Sequence, residues 1–151
     1  MSRRTNMLQE LKRAIGSQSH PVTYKIHEAA IEGFTEAIED PNMMWQRRAH
    51  LDKIPASMMI APPTFLRSIA PFAVDFLPVQ VPMARRLDAG SEWEFLGLVF
   101  AGDCITALTT LVDVYEKKGK VGDMLFTVNE TRYVNQRGEM IAMQRCTLIR
   151  Y

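Results

Sequence analysis

Cysteine and histidine are scarce in this chain, and their scarcity removes several kinds of chemistry from consideration. Of its 151 residues, 2 are cysteine and 3 are histidine. Cys104 and Cys146 lie in strand-like segments, so we interpret them as buried thiols of a reducing compartment rather than as a disulfide. The histidines have no metal-like spacing with each other or with the cysteines. We therefore expect no metal site.

A strong excess of charge and a long hydrophobic run are also missing. The net charge is +1, so the composition does not favour a nucleic acid or an anionic membrane surface as a partner. No apolar run is long enough to span a bilayer, and no apolar signal core follows the basic residues at the start. The sequence therefore predicts a cytoplasmic protein.

The length suits one domain with a real core, preceded by a short extension. Residues 6–15 have the apolar spacing of an amphipathic helix, so we assign residues 1–20 to an N-terminal helix or extension and residues 21–151 to the main domain. In that domain, residues 21–26 predict a short strand. Residues 27–39 predict an amphipathic helix that stops at an Asp-Pro-Asn sequence.

The stretch Ile54–Phe72 is the most apolar part of the chain, and we expect the rest to be organised around it. Pro62 and Pro63 make its middle loop-like, after which Thr64 can cap a helix that continues through Phe65 to residue 70. Such a helix needs a large apolar partner surface. Long predicted strands supply it at residues 92–98, 103–116, 122–135 and 139–151. The pattern predicts an α+β fold in which one long, bent antiparallel sheet wraps around a central buried helix.

This order of elements resembles the hotdog fold of the MaoC-like dehydratases, most closely their N-terminal, non-catalytic type of domain. The matching segments are FTEAIEDPNMMW (34–45), IAPPTF (60–65), SEWEFLGLVFAGD (91–103), DVYEKKGKVGDMLFTVNET (113–131) and NQRGEMIAMQRCTLIR (135–150). The resemblance covers about residues 24 to 149 and implies that residues 21–151 form a single MaoC-like hotdog domain.

The catalytic hydratases of that family carry a G-D-x-N-P-x-H signature, from which this chain departs. Asp40 and Asn42 stand at the aspartate and asparagine positions, but Glu39 replaces the glycine, Met43 the proline and Trp45 the histidine. In the hydratases, the carboxylate and the imidazole together position and activate water. An indole donates one hydrogen bond and cannot act as a base. We therefore expect no catalytic residue here, and regard Asp40 and Asn42 as remnants of the signature.

The resemblance implies a role beside a catalytic partner. Some MaoC-type hydratases pair a degenerate hotdog with a catalytic one, either in one chain or as two subunits. The expected role is the non-catalytic, substrate-shaping subunit of a two-subunit enoyl-CoA hydratase or 3-hydroxyacyl thioester dehydratase, in a heterodimer or heterotetramer with a catalytic MaoC-like chain. The substrate would be a coenzyme A thioester, with no cofactor. Two alternatives stay open: a homodimeric hydratase or thioesterase that needs no partner, and an acyl-CoA binding protein without turnover.

The candidates for contact with the acyl group or coenzyme A are Asp40, Asn42, Met44, Trp45, Thr64, Phe65, Arg85, Arg86 and Trp93. Each has a simpler interpretation. Asp40 and Asn42 are typical of a turn that ends a helix. Trp45 and the methionines before it suit an acyl pocket or ordinary packing. Trp93 alternates with polar residues, as core aromatics of a strand do. The two arginines can bind phosphates or form a solvated pair.

Overall fold

A computed structural model describes residues 3–45, 59–69, 77, 79–83, 85–119 and 122–151. The helices are α1 (Arg3–Arg13), α2 (Glu28–Ala37) and α3 (Leu66–Ile69). The strands are β1 (Val22–Lys25), β2 (Arg86–Phe95), β3 (Cys104–Gly119), β4 (Gly122–Val134) and β5 (Met140–Arg150). The described residues between α2 and α3 include two 3-10 turns, Met43–Trp45 and Pro63–Phe65.

The strands form one antiparallel sheet in the order β1-β3-β4-β5-β2. β3, β4 and β5 are a meander of long strands, and Gly138 supplies the positive φ of +81° that the second turn needs. β1 and β2 are the edges. The predicted α+β hotdog fold is thus confirmed. The prediction for β2 was wrong at its start, because the strand begins at Arg86 and has a bulge between Asp88 and Ser91 that obscures its alternation.

The main core lies between the inner face of the sheet and the segments that cross it. α2 contributes the buried Ile31, and the turn before α3 contributes Phe65, which is 2% exposed. The sheet side of this core includes Ile105, Ala107, Tyr133, Ile141 and Ala142. The predicted central helix is only partly confirmed: among the described residues it is a 3-10 turn followed by the four residues of α3. Thr64 lies inside that turn and is not its cap, a position occupied by Pro62.

A second apolar cluster joins α1 to the far end of the same sheet. Met7 and Leu11 of α1 are buried against Leu111, Val114 and Leu125. The predicted amphipathic helix is therefore confirmed, although it spans residues 3–13. One part of that prediction is wrong, because the helix ends before residue 15, whose isoleucine side chain is 43% exposed.

The remaining predictions concern the two cysteines, membrane-spanning helices and parts of the chain outside the described residues. Cys104 and Cys146 are unbridged, but both are partly rather than fully buried. No helix in the described ranges is long and apolar enough to cross a membrane. Residues 46–58 and 70–76 lie outside the described residues, and with them the predicted end of the central helix at residue 70.

Candidate functional site

The end of α2 forms a tight turn that positions Asp40. The N–H of Glu39 donates to the carbonyl of Glu36 at 3.1 Å, and the N–H of Asp40 donates to the carbonyl of Thr35 at 3.1 Å. These two bonds form a Schellman motif, in which the residue after the helix cap takes a left-handed conformation. Glu39 takes it with a φ of +53°. The position aligned with the signature glycine therefore keeps a glycine-like backbone although its residue is glutamate.

Hydrogen bonds occupy both oxygens of the Asp40 carboxylate. Oδ1 accepts the backbone N–H of Asn42 at 3.0 Å, and Oδ2 accepts the indole Nε1–H of Trp45 at 2.8 Å. Asn42 Oδ1 in turn accepts the N–H of Met44 at 3.1 Å, at the start of the 3-10 turn. The turn interpretation of Asp40 and Asn42 thus has direct geometric support.

Trp45 stands at the position of the signature histidine. It holds the Asp40 carboxylate by a hydrogen bond but cannot take part in acid–base chemistry. Its Nε1–H can donate to Asp40, but an indole nitrogen accepts no proton. In the described part of the chain, the donors to the Asp40 side chain are Asn42 and Trp45 rather than a histidine. Within the described residues, this turn therefore holds a carboxylate but no group that shuttles protons near neutral pH.

An open cleft of about 510 Å³ lies between α2, the turn before α3 and the edge strand β2. Its lining residues are Phe34, Ile38, Thr64, Arg67, Trp93 and Phe95. Ile38 caps α2, two residues before Asp40, so the cleft begins beside the turn just described. The exposed lining is almost wholly apolar, although Thr64 and Arg67 are polar residues, which is the composition expected for an apolar ligand segment.

A stack of aromatic rings makes the sheet wall of the cleft rigid. Trp93 stacks on Tyr133 with ring centroids 5.4 Å apart, and Phe95 stacks on Trp93 at 5.7 Å. The strand register places Ala142 between Phe95 and Tyr133, so the small side chain of the middle strand leaves room for the rings. On the opposite wall, Phe34 meets Phe65 edge to face at 5.6 Å. Both walls are therefore supported by the core.

Polar contacts lie beneath and beside these rings. The buried Tyr133 donates its hydroxyl to Gln144 Oε1 at 3.0 Å, and Gln144 donates to Ser91 Oγ at 3.2 Å. Burial raises the pKa of Tyr133 well above the ordinary value of 10.0, so this hydroxyl stays a neutral donor. Arg67 forms an ion pair of 3.0 Å with Asp88 of β2 at the cleft wall, where both side chains are about two-fifths exposed, at 41% and 42%.

The structure brings only some of the predicted site residues together. Thr64 and Trp93 line the cleft, and Phe65 supports it from the core. Asp40, Asn42, Met44 and Trp45 form the adjoining turn and are not among its lining residues. Their contact with a substrate stays a prediction.

The predicted phosphate contacts Arg85 and Arg86 lie elsewhere. Arg86 is seven residues before Trp93 along β2, a separation of roughly 20 Å in an extended strand. Arg85 packs over the ring of Tyr151, 5.9 Å from its centroid. The two arginines therefore lie outside the cleft, at the far end of the edge strand.

Four residues of the cleft lining are not among the site residues predicted from the sequence: Phe34, Ile38, Arg67 and Phe95. Phe34 and Ile38 belong to the apolar face of α2, which the sequence assigns to the core, yet Ile38 is 46% exposed. Arg67 had a usable signal, because it is the single charge between residues 54 and 72 of the most apolar stretch.

The sequence matches the family model described as "FAS1-like, dehydratase domain region" over residues 13–144. The chain belongs to this family. A curated relative, a UPF0336 protein from Thermobifida fusca, is 26% identical over 133 residues and the match covers 85% of each chain. The match to the family model includes the end of α2, the cleft residues, strands β1 to β4 and the first part of β5.

Solved structures with the same fold include MaoC-like dehydratases. The chain is similar to the MaoC-like dehydratase from Rhodospirillum rubrum, with a TM-score of 0.66 and 20% identity over 91% of this chain and 92% of that one. It is also similar to a chain of the ChsH1-ChsH2 complex (TM-score 0.73, 16% identity, 97% and 95% covered) from Mycobacterium tuberculosis. A chain of that organism's HadBC (3R-hydroxyacyl-ACP dehydratase) complex gives a TM-score of 0.71 at 21% identity, with 90% and 96% covered. The hotdog fold of the MaoC-like family is therefore established.

Proposed function

We propose that this chain is the non-catalytic, substrate-shaping subunit of a two-subunit enoyl-CoA hydratase or 3-hydroxyacyl thioester dehydratase. The observation that carries the proposal is the 2.8 Å hydrogen bond from Trp45 Nε1 to Asp40 Oδ2. It places an indole where the catalytic members have an imidazole, so the turn holds its carboxylate but lacks the second acid–base group. The catalytic aspartate and histidine would come from a MaoC-like partner chain.

The cleft would hold part of the acyl chain. Phe34, Ile38, Trp93 and Phe95 offer an apolar surface that is open on one side, as a tail of variable length requires. Arg67 is the charged group of the wall and would face the polar thioester end. The ligand class is a coenzyme A thioester, and its recognition by these residues is part of the proposal.

The partner would add its edge strand beside β2. In the described part of the chain β2 hydrogen-bonds to β5 alone, and most of its residues are exposed. Exposed edge strands are usually covered by pairing or by charge. Phe95, Leu96 and Leu98 are 43%, 54% and 55% exposed at the end of this strand, which favours burial in an assembly. Two of the similar structures are complexes, ChsH1-ChsH2 and HadBC.

Hydration of a short enoyl-CoA tests the proposal directly. The purified chain would be assayed alone and after co-expression with a chain from the same source that carries the G-D-x-N-P-x-H signature, following loss of the enoyl thioester absorbance. We expect turnover only with the second chain. Replacement of the second chain's signature histidine by alanine should abolish that turnover, whereas Trp45→Phe in this chain should leave most of it.

Turnover by this chain alone would overturn the proposal and favour the homodimeric enzyme. Tight binding of acyl-CoA without turnover, alone or with the second chain, would favour the binding protein. Cleavage of a saturated acyl-CoA, detected as free thiol, would identify a thioesterase instead.

A further inference from the structure

The exposed edge strand β2 carries two glutamates in its regular half. Between the bulge at Asp88/Ser91 and its end at Phe95, the strand alternates. Trp93 points to the inner face, while Glu92 and Glu94 are exposed on the opposite face. Arg145 is opposite Glu92 on β5, but it is also opposite Glu130 on β4, and Glu94 faces Met143. The outer face of this edge is therefore acidic.

Two copies of the chain that paired through β2 would bring these glutamates together. In a continuous sheet with a two-fold axis perpendicular to it, opposed residues must point to the same face. Because side chains alternate along a strand, some residue must then lie opposite its own copy. Centred on Glu92 or Glu94, the pairing opposes that glutamate to itself. Centred on Trp93, it opposes Glu92 to Glu94 twice.

The remaining registers lose much of the pairing. A centre at Ser91 places half of the contact at the bulge, and a centre at Phe95 places half beyond the end of the strand. The register centred on Trp93 pairs all five residues of Ser91–Phe95, and those centred on Glu92 or Glu94 pair three of the five, whereas the remaining two registers pair only the central residue. The registers that keep most of the regular segment paired are therefore those that oppose carboxylates. Like charges directly opposite each other destabilise a strand pair.

We propose that Glu92 and Glu94 discourage pairing of β2 with a second copy of this chain and select a hotdog partner whose edge strand carries lysine or arginine at the facing positions. The exposed Phe95, Leu96 and Leu98 would supply most of the contact area, and the glutamates would decide between partners. This inference rests on the proposed function, since it describes the subunit that β2 accepts.

Charge reversal tests the selection without the natural partner. The double variant Glu92→Arg/Glu94→Arg would be mixed with the unaltered chain, and association measured by sedimentation velocity across a concentration series. We expect the mixed pair to associate at least about tenfold more tightly than either chain with itself, because opposed pairs become attractive. About 1 M salt should remove most of that difference, since these charges are exposed. Native mass spectrometry would identify the mixed dimer by mass.

A neutral variant and a matched control complete the design. Glu92→Gln/Glu94→Gln should self-associate more tightly than the unaltered chain, and this arm decides the question if the arginine variant does not fold. Glu10→Arg/Glu36→Arg makes the same change of net charge at exposed positions away from β2 and should give no preference for the mixed pair. The proposal is overturned if the mixed pair is no tighter than the self-pairs, or if the glutamine variant associates no better. Enoyl-CoA turnover with a catalytic chain would be unaffected by that failure, so the two proposals can fail separately.

Discussion

At the scale of single residues, Glu39 has an energetically unfavourable backbone conformation. It takes a φ of +53° at the position where the Schellman motif of α2 favours glycine. A side chain in the left-handed region costs about 1 kcal/mol, since Cβ crowds the backbone. The position aligned with the signature glycine therefore has a left-handed backbone here although its residue is glutamate.

Glu39→Gly should stabilise the chain by about 1 kcal/mol, because glycine adopts the left-handed conformation without that strain. Urea denaturation would measure the change in the free energy of unfolding. Glu36→Gly, inside the last turn of α2, is the matched control and should destabilise by about 1 kcal/mol. Equal effects at the two positions would contradict the account of the turn.

Trp45 has a residue-scale prediction of its own. Trp45→His should not by itself create an efficient hydratase, because Glu39 and Met43 also depart from the signature and Met43 lacks the fixed φ that the signature proline gives the loop. The test is enoyl-CoA hydration by the variant alone, with folding checked by circular dichroism. Robust turnover would contradict this expectation.

Tyr133 makes stability depend on pH in the alkaline range. Burial raises the pKa of its hydroxyl above the ordinary value of 10.0, so the folded state holds the proton more tightly than the unfolded state. The resulting stability is complete below about pH 10 and is lost as pH rises through the folded pKa. Urea denaturation from pH 8 to 11 should show this loss.

Tyr133→Phe is the matched variant for that titration. It should be less stable at pH 8 by about 1–2 kcal/mol, because Gln144 Oε1 loses its donor, and its stability should fall less steeply above pH 10. Identical slopes in the two proteins would assign the alkaline loss to other groups.

At the scale of elements, the two long helices behave differently from their sequence patterns. The apolar face of α2 was predicted to be buried, but Ile31 alone among its aliphatic residues is fully buried, while Phe34 and Ile38 reach the cleft. Conversely, the polar Thr35 is only 5% exposed, and its hydroxyl donates to the carbonyl of Glu32. Periodicity identifies the apolar face of a helix, but it does not show whether that face packs in the core or lines a cleft.

α1 was assigned to an extension, yet its contacts are those of a core element. Leu11 is fully buried against the sheet. Leu11→Ala should therefore lower the free energy of unfolding by about 2–4 kcal/mol. Ile15→Ala, just beyond the helix at an exposed position, should change it by less than about 0.5 kcal/mol. A small effect of the Leu11 change would mean that α1 unfolds separately from the main domain.

At the scale of the whole molecule, the cleft and the edge strand share residues, so the proposed substrate binding and the proposed assembly would be physically linked. Phe95 lines the cleft and is also part of the exposed end of β2. A partner strand laid beside β2 would therefore lie next to residues that line the cleft. The two alternatives, an independent enzyme and a simple binding protein, differ from the proposed function because neither needs a catalytic partner chain beside the cleft.

Ile38→Trp tests the cleft in the assembled enzyme. The larger side chain should fill part of the roughly 510 Å³ volume and raise KM for long enoyl thioesters by about tenfold, with less effect on short ones. Ile15→Trp has similar initial exposure, 43% against 46%, and should leave both substrates unaffected. A uniform loss for short and long substrates would place the acyl chain elsewhere.

The sequence by itself determined the hotdog fold class, the order of its long strands, the amphipathic α1 and α2, and the missing histidine at Trp45. The helices, the strands and the α+β class follow from periodicity and turn residues, which are local, whereas the hotdog fold and the missing histidine follow from the resemblance to the MaoC-like family. Only the tertiary structure decided that Trp93 stacks on Tyr133, that Arg67 meets Asp88, and that the face of α2 lies open beside β2. Trp93 and Tyr133 are 40 positions apart, Arg67 and Asp88 are 21 apart, and α2 is further still from β2 in the chain. The register of β2 also depends on a bulge that alternation alone does not reveal.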